Sequence, residues 1–270
     1  MKTACIYCFS GTGNTLLATQ RLMAGLHERG VATTCHALTP DAQVSPGTSG
    51  LGITFPVACQ STYPFVWDFV GSLPPGDGRA VFVMDTLAPF SGGLLAPLRK
   101  LLVEKGYEPL GAVEVIMPSN LRLRLRREER VAAIREKGMA AVDAFAEDLA
   151  NGRATWPKPG FFEGFLHAVS RSRWLWAFAR WGMNLRHDPN QCSACGFCQK
   201  ICPLGAIDPE RTPVLDRKVC QLCMRCYSYC PVGAIRSRLP WKPYHAAKVN
   251  ELLADGEPSP VEEEEERDDP

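Results

Sequence analysis

The chain has 270 residues, of which 46% are hydrophobic, and its formal net charge is +1. This length supplies enough apolar material for a medium-sized domain and a smaller module, so we expect two domains. The near-neutral charge gives no reason to expect general affinity for nucleic acid or for an anionic membrane. The chain has no uninterrupted apolar run of about 20 residues, and residues 1–8 are too short for a signal peptide. We therefore expect a cytoplasmic protein without a membrane span.

The first 150 residues alternate strand-like and helix-like segments, a pattern typical of a parallel sheet with helices on both faces. The predicted fold is α/β, with a doubly wound parallel sheet of five strands. The strands are predicted at residues 3–8, 32–38, 51–55, 79–85 and 110–117. The helices are predicted at residues 15–29, 64–71, 93–105 and 127–150.

A glycine-rich loop links the first strand to the first helix. Glycines permit a tight turn, and free amides at a helix start attract anions. Hydroxyl groups in the loop can donate to a phosphate. The residues of the loop are Ser10, Gly11, Thr12, Gly13, Asn14 and Thr15. This loop resembles the FMN-phosphate loop of flavodoxins in composition and position, and that resemblance implies FMN.

Other nucleotide sites fit this loop less well. It contains no lysine, so a triphosphate would lack its usual cation. A dinucleotide site would need a third glycine where Leu16 stands, and an acidic residue at the end of the second strand, where His36 and Leu38 are found. An ordinary turn that caps a helix remains the alternative.

Two further loops follow the third and fourth strands, at the edge where a doubly wound sheet binds its ligand. Tyr63 and Phe90 are predicted to stack on the flavin ring, with packing inside their own loops as the alternative for each. Backbone groups near Gly92 and Gly93 are predicted to bind the pyrimidine edge of the ring. Thr86 and Ser91 complete the predicted ring contacts.

Residues 151–160 contain many turn formers and mark the predicted domain boundary. The tryptophan-rich residues 161–185 follow as a predicted helical stretch. Trp174, Phe178, Trp181 and Leu185 have helical spacing, so we expect them to pack between the domains. Arginines interleave this stretch, and contact with a membrane surface is the alternative.

The strongest signal is a duplicated cysteine run. Each run has the spacing C-x-x-C-x-x-C-x-x-x-C followed by proline, and in a reducing compartment so many cysteines indicate metal or redox chemistry. Structural zinc is the alternative, but a zinc site needs only four ligands and neither the third evenly spaced cysteine nor the following proline. The first run is Cys192, Cys195, Cys198 and Cys202, and the second is Cys220, Cys223, Cys226 and Cys230.

The remaining four cysteines lie outside the runs. Cys5 and Cys35 are predicted to be small buried hydrophobic residues. Cys8 and Cys59 lie near the predicted flavin loops, where a redox role is conceivable, but packing is the preferred interpretation. The five histidines form no cluster in the sequence, and we assign them no role.

Two segments of the sequence are rich in charged residues of one sign. Arginines are dense in residues 121–130, which predicts either a docking site for an acidic electron carrier or a solvated helix start. The chain ends in a strongly acidic segment, which predicts a disordered tail.

Taken together, these motifs resemble the flavodoxin-ferredoxin fusions of anaerobic prokaryotes. The resemblance implies two [4Fe-4S] clusters with crossed ligands. One cluster would take Cys192, Cys195, Cys198 and Cys230, and the other Cys220, Cys223, Cys226 and Cys202. The implied domains are a flavodoxin-like domain (1–150), a linker with a Trp-rich helix (151–187), a small α+β ferredoxin-like domain (188–243), and a C-terminal helix with an acidic tail (244–270).

The predicted function is electron transfer between FMN and the two clusters, with a redox protein as partner. No catalytic constellation is legible in the sequence, so no catalytic residue is assigned. The rival hypothesis is a flavin-dependent oxidoreductase that acts on an organic substrate while the clusters supply electrons to FMN.

Overall fold

The computed structural model describes residues 1–44, 50–88, 93–120, 128–158, 163–208, 215–239 and 243–248. Its first half is an α/β domain, and its second half contains short elements around the cysteine runs. No helix among these residues is long and apolar enough to cross a membrane. The elements are β1 (Thr3–Cys8), α1 (Asn14–His27), β2 (Ala32–Ala37), β3 (Gly50–Pro56), α2 (Pro64–Ser72), β4 (Ala80–Leu87), α3 (Leu95–Glu104), β5 (Glu108–Ile116), α4 (Glu128–Ala150), α5 (Glu163–Ser170), α6 (Arg173–Met183), β6 (Arg186–His187), α7 (Phe197–Lys200), α8 (Arg225–Ser228) and β7 (Ile235–Arg236).

The five long strands form a parallel sheet in the order β2-β1-β3-β4-β5. This is the strand order of the flavodoxin-like fold, whose ligand site lies at the switch point between β1 and β3. The predicted fold class is confirmed. Strand and helix ends differ from the predictions by at most two residues, and Arg127, the predicted start of α4, lies outside the described residues.

Apolar side chains cover both faces of the sheet. One core layer packs around Phe55, Phe69 and Val83 under α2 and α3. The other packs around Leu22 and Phe82 under α1 and α4. The strands are therefore buried on both sides, as is typical of parallel sheets.

Asp85, near the end of β4, is an exception to this apolar interior. Its side chain is fully buried, and neither carboxylate oxygen has a hydrogen-bond partner within the described part of the chain. Burial raises the pKa of Asp85 well above its usual range, and the nearby Glu114 raises it further.

The predicted helical stretch at residues 161–185 consists of two helices. They are separated at Arg171 and Ser172, because Ser172 adopts extended backbone angles and caps α6 by accepting a hydrogen bond from the Trp174 backbone N–H at 3.3 Å. The start of the predicted stretch lies partly outside the described residues.

The cysteine-rich half has a small scaffold. β6 and β7 pair antiparallel, and the helices α7 and α8 each lie inside one cysteine run. Its apolar core includes Met183, Ile207 and Ile235 together with cysteine side chains. The division at residues 151–187, like the tail from residue 249 onward, remains a prediction.

Candidate cofactor-binding sites

The glycine-rich loop folds at the carboxyl end of β1. Gly13 has φ of +103°, a conformation that favours glycine, and its N–H donates to Ser10 Oγ at 3.1 Å. No side chain caps the first turn of α1, so backbone amides there are available for an anion. Ser10, Thr12 and Thr15 are almost fully buried. This donor set fits a phosphate group.

The loop also makes contacts that hold its shape. Thr15 Oγ1 shares a hydrogen bond of 2.7 Å with Thr86 Oγ1, which ties the loop to the end of β4. The Asn14 side-chain amide donates to the Pro118 carbonyl at 2.6 Å. Asn120 donates its side-chain N–H to Thr12 Oγ1 at 3.3 Å. The segment after β5, which contains Pro118 and Asn120, therefore also holds the loop in place.

A C-terminal segment, residues 243–248, covers the loop from outside. The Ala246 backbone N–H donates to the Thr12 carbonyl at 2.7 Å, and the Tyr244 hydroxyl donates to Asn14 Oδ1 at 2.9 Å. A Cβ on Gly13 would lie 2.3 Å from the Ala247 backbone nitrogen. Residues 243–248, which follow the cysteine runs in the sequence, thus form a clasp over the phosphate loop.

Next to the loop lies a cavity of about 590 Å³. This volume falls within the range of about 300–1,000 Å³ that is usual for small-molecule sites. Polar groups of the loop lie at one end, and mainly apolar side chains line the rest. The other lining comes from the loops after β3, β4 and β5, from α6, and from the second cysteine run: Cys59, Gln60, Tyr63, Leu87, Ala88, Met117, Ser119, Trp176, Phe178, Met183, Leu222 and Met224.

The predicted ring contacts are only partly brought together. Tyr63 and Thr86 line the cavity. Tyr63 also packs against Phe9 and Trp176, with ring centroids 5.2 Å and 6.0 Å away, and burial raises its pKa. Gly93 donates its N–H to the Gln60 carbonyl at 3.2 Å and is not among the residues lining the cavity. Phe90, Ser91 and Gly92 lie outside the described residues.

The loop after β3 has an unusual backbone. Cys59 and Gln60 both have positive φ values, of 51° and 65°, which residues with side chains seldom adopt. Both residues line the cavity. Such strained backbone is often found at ligand sites, because the surrounding structure must maintain it. Burial raises the pKa of the Cys59 thiol.

The two cysteine runs repeat one backbone geometry. Positive φ values occur at three matching positions: Ala194 with Leu222, Gly196 with Met224, and Gly205 with Gly233. Alternating backbone conformations of this kind point successive N–H groups into one concavity, as is common at iron-sulfur sites. The duplication seen in the sequence is therefore present in the three-dimensional structure.

Hydrogen bonds from amides to sulfur repeat as well. Ala194 N–H donates to Cys192 Sγ at 3.3 Å, and Leu222 N–H donates to Cys220 Sγ at 3.5 Å. The fourth cysteine of each run accepts in the same way from the residue four positions later, at 3.3 Å and 3.2 Å. Amide donors to sulfur tune iron-sulfur clusters, so these residues fit a cluster better than an unliganded turn.

Cysteines of each run lie near cysteines of the other run. The pKa of Cys198 is raised mainly by burial, and the nearby Cys230 and Cys192 contribute. Burial raises the pKa of Cys223 to about 11, and Cys202 and Cys220 contribute to the increase. Cys202 lines a small cavity together with Cys220, Cys223 and Cys226 of the second run, so it lies where the predicted crossed ligation would place it. Among the described residues no three Cys, His, Asp or Glu side chains converge on a position for a single metal ion.

Arg225 joins the cysteine runs to the phosphate loop. This arginine is buried inside the second run, where the first run has Phe197. Its guanidinium donates to the Ser10 carbonyl at 2.9 Å and to the Ile201 carbonyl at 3.4 Å, and it lies over the Phe9 ring at 5.1 Å. The buried cation is therefore held by backbone carbonyls of both halves.

The second run also touches the sheet domain directly. A Cβ on Gly11 would lie 2.5 Å from the Cys223 carbonyl oxygen, so only glycine allows the two backbones to approach. The Gln221 side chain accepts a hydrogen bond from the Phe65 backbone N–H at 3.2 Å. These contacts fix the second run against the phosphate loop.

The predicted packing of the Trp-rich helix is wrong for three residues. Trp174, Phe178 and Trp181 are exposed, and only Leu185, beyond the end of α6, is buried. The opposite face of α6 is turned inward, because the Trp176 indole donates to the Ser170 carbonyl at 3.1 Å and packs on Tyr63. Helical spacing identified a stripe correctly but not the side of the helix that is buried.

The sequence did not indicate several residues of the site. Met117 and Ser119 could have been found, because they follow the fifth strand at the ligand-binding edge of the sheet. The contributions of Trp176, Met224 and Arg225 depend on how the two halves pack, and no local pattern signals them. Cys8 and Cys35 lie on adjacent strands, and the Cys35 side chain is the main cause that lowers the pKa of the buried Cys8 thiol to about 7.

Comparison with known proteins found similarities to each half of the chain separately. Residues 185–208 and 213–236 each match the family model described as 4Fe-4S binding domain. No curated protein matches the chain. Similar solved structures include a flavodoxin from the domain Archaea, at 14% identity over 55% of this chain and 99% of that chain, with a TM-score of 0.38.

Two bacterial flavodoxins are also similar. That of Megasphaera elsdenii, in its two-electron reduced form, is 20% identical over 52% of this chain and 98% of its own, with a TM-score of 0.38. That of Streptococcus pneumoniae is 15% identical over 55% and 97%, with a TM-score of 0.38. The fold itself is established by the strand order. The chain therefore combines a flavodoxin-like sheet with two 4Fe-4S binding domains.

Proposed function

We propose that this chain is an electron-transfer protein in which FMN occupies the cavity and exchanges electrons with two [4Fe-4S] clusters. The observation that carries the proposal is the shared lining of the cavity, which includes Thr12 of the phosphate loop and both Leu222 and Met224 of the second cysteine run. FMN supplies one- and two-electron chemistry when bound, and the clusters supply one-electron steps.

The chain's own residues would position FMN at this junction. Amides of the loop and the hydroxyl groups of Ser10, Thr12 and Thr15 would hold the phosphate. The clasp at residues 243–248 would limit its escape, since it is hydrogen-bonded to Thr12 and Asn14. Trp176 and Met183 would exclude water from the ring end of the cavity, because both are buried and line it.

The two cluster sites differ in their distance from solvent, which supports an order of electron transfer. Cys220 and Cys226 of the second run are buried, whereas Cys195 of the first run is exposed. We infer that the cluster held by Cys220, Cys223, Cys226 and Cys202 exchanges electrons with FMN. The cluster held by Cys192, Cys195, Cys198 and Cys230 would exchange them with a redox protein partner.

Cofactor analysis of anaerobically purified protein tests the proposal. Two clusters and one flavin predict about eight iron, about eight sulfide and one FMN per chain. Thr12→Ala should weaken FMN binding about 12- to 140-fold, because a hydrogen bond to a charged group contributes about 1.5–3 kcal/mol. Ser72→Ala is the control, since its hydroxyl donates to the Phe69 carbonyl at the end of α2.

Several outcomes would contradict the proposal. If the purified protein contained zinc in place of iron and sulfide, the assignment of two clusters would be wrong. If it contained FAD, or no flavin after incubation with FMN, the assignment of FMN would be wrong. Rapid turnover of an organic acceptor by FMN would favour the substrate-specific oxidoreductase instead.

A further inference from the structure

Helices α5 and α6 present an apolar surface to solvent. Trp174 is 86% exposed, Phe178 67% and Trp181 62%, and all three lie on one side of α6. Phe165 and Val169 of the preceding helix α5 are exposed as well. We call Trp174, Phe178 and Trp181 the aromatic face. Large exposed apolar groups clustered in this way mark interaction sites, whereas scattered ones need no explanation.

Within the described residues, the aromatic face is not used to pack α6 against the rest of the chain. The inward side of α6 already joins the two halves through Trp176, which packs on Tyr63, and through Met183 in the core of the cysteine-rich half. Phe178 and Trp181 stack on each other with ring centroids 5.8 Å apart, so the exposed rings form an ordered surface. A binding partner outside the described chain would therefore cover it.

The charged residues of α6 itself are all arginines, and the acidic residues nearest in sequence to α5 and α6 are Glu163 and Asp188, the latter paired with Arg236. Residues 165–187 contain arginines at four positions and no aspartate or glutamate. Arg238 adds a further cation, since its guanidinium lies over the Trp181 ring at 5.1 Å. The complementary surface must therefore be anionic as well as apolar. The four positions are Arg171, Arg173, Arg180 and Arg186.

We propose that the aromatic face binds an anionic membrane surface, with α6 lying in the plane of the interface. Tryptophan and phenylalanine side chains insert at the boundary between headgroups and acyl chains, and arginines bind the lipid phosphates. Basic residues near a membrane attract anionic lipids additively. The cavity rim would then meet the membrane, because Phe178 and Leu239 are exposed and also line the cavity.

Vesicle sedimentation with the full-length, cofactor-loaded protein tests this inference. Phosphatidylcholine vesicles are compared with vesicles that also contain phosphatidylglycerol. We expect tight binding only to the anionic vesicles. High salt should weaken this binding, because dissolved ions screen the attraction between the arginines and the lipid phosphates. The double variant Trp174→Ser, Trp181→Ser should bind them at least about tenfold more weakly.

Two further variants separate the contributions. Arg171→Gln with Arg173→Gln should bind anionic vesicles more weakly than the wild type and with a weaker dependence on salt, because Arg180, Arg186 and Arg238 remain. Val103→Ser on α3 is the control, because Val103 is 47% exposed on another helix, and its binding should equal that of the wild type. Iron and FMN contents measured on the same preparations show whether any loss of binding reflects a failed cofactor site.

Three results would overturn the inference. The wild type could fail to bind anionic vesicles at low salt. The tryptophan variant could bind them as tightly as the wild type. Light scattering could show that the wild type is a dimer that Trp174→Ser converts to a monomer, in which case a second copy of the chain covers the aromatic face.

Discussion

Replacing Gly11 by alanine should separate the phosphate loop from the second cysteine run. Gly11 does not have a positive φ, so alanine introduces no backbone strain of its own. Its Cβ would, however, lie 2.5 Å from the Cys223 carbonyl oxygen, where real Cβ atoms are essentially never found closer than 3.0 Å. At least 0.5 Å of movement is therefore required, and the obstacle is backbone that cannot rotate away.

The free-energy cost of this clash can be expressed as a change in FMN affinity. Overpacking a close contact costs about 1–3 kcal/mol, which corresponds to about a 5- to 140-fold change in an equilibrium constant. Since the loop and the second run both line the cavity, the movement should weaken FMN binding by that factor. Calorimetric titration of the flavin-free protein with FMN measures the change directly.

Gly71→Ala provides the matched control. Gly71 lies at the end of α2, and a Cβ there would meet no atom within 4 Å. Its FMN affinity should equal that of the wild type. If Gly11→Ala also bound FMN with wild-type affinity and kept the wild-type midpoint of thermal unfolding, the contact between the loop and the second run would not form in solution.

Three other predictions concern the cysteine-rich half and the sheet. The variants Cys223→Ser and Cys195→Ser identify the EPR signals of the two clusters. Cys202→Ser should perturb the signal that Cys223→Ser changes and leave the signal that Cys195→Ser changes close to normal; the reverse pattern would mean local ligation within each run. Arg225→Met should lower the reduction potential of the second-run cluster by tens of millivolts, because a buried cation favours the reduced form. The first-run cluster is the internal reference in that redox titration, and equal shifts in both would contradict the role of Arg225. The raised pKa of Asp85 means that the folded protein keeps a proton that the unfolded chain releases above about pH 4, so the free energy of unfolding should fall as pH rises toward the folded-state pKa. Asp85→Asn should remove that fall in denaturant titrations, and an unchanged pH dependence would show that Asp85 is hydrated.

Local patterns predicted the parts of the structure that local physics determines. The period of apolar residues identified all five strands of the sheet, and the loop from Ser10 to Thr15 was located because a phosphate site needs glycines at a helix start. The cysteine runs were legible because their spacing is specific to one class of cofactor.

The junction between the two halves was not predictable in this way. Arginines are mostly exposed in proteins, and only the packed structure shows that Arg225 is buried and bound by backbone carbonyls of both halves. Trp174 and Trp176 are two residues apart and equally apolar, yet one is exposed and the other buried. Their positions depend on the helix cap at Ser172 and on the packing of Trp176 against Tyr63.

The central claim is that FMN lies beside the second-run cluster within one chain. Stopped-flow spectroscopy tests it when protein with oxidised flavin and clusters is mixed anaerobically with a one-electron donor that reacts with the exposed cluster. The account predicts that flavin reduction follows cluster reduction at a first-order rate that is independent of protein concentration. A flavin that stays oxidised, or a rate proportional to protein concentration, would contradict it.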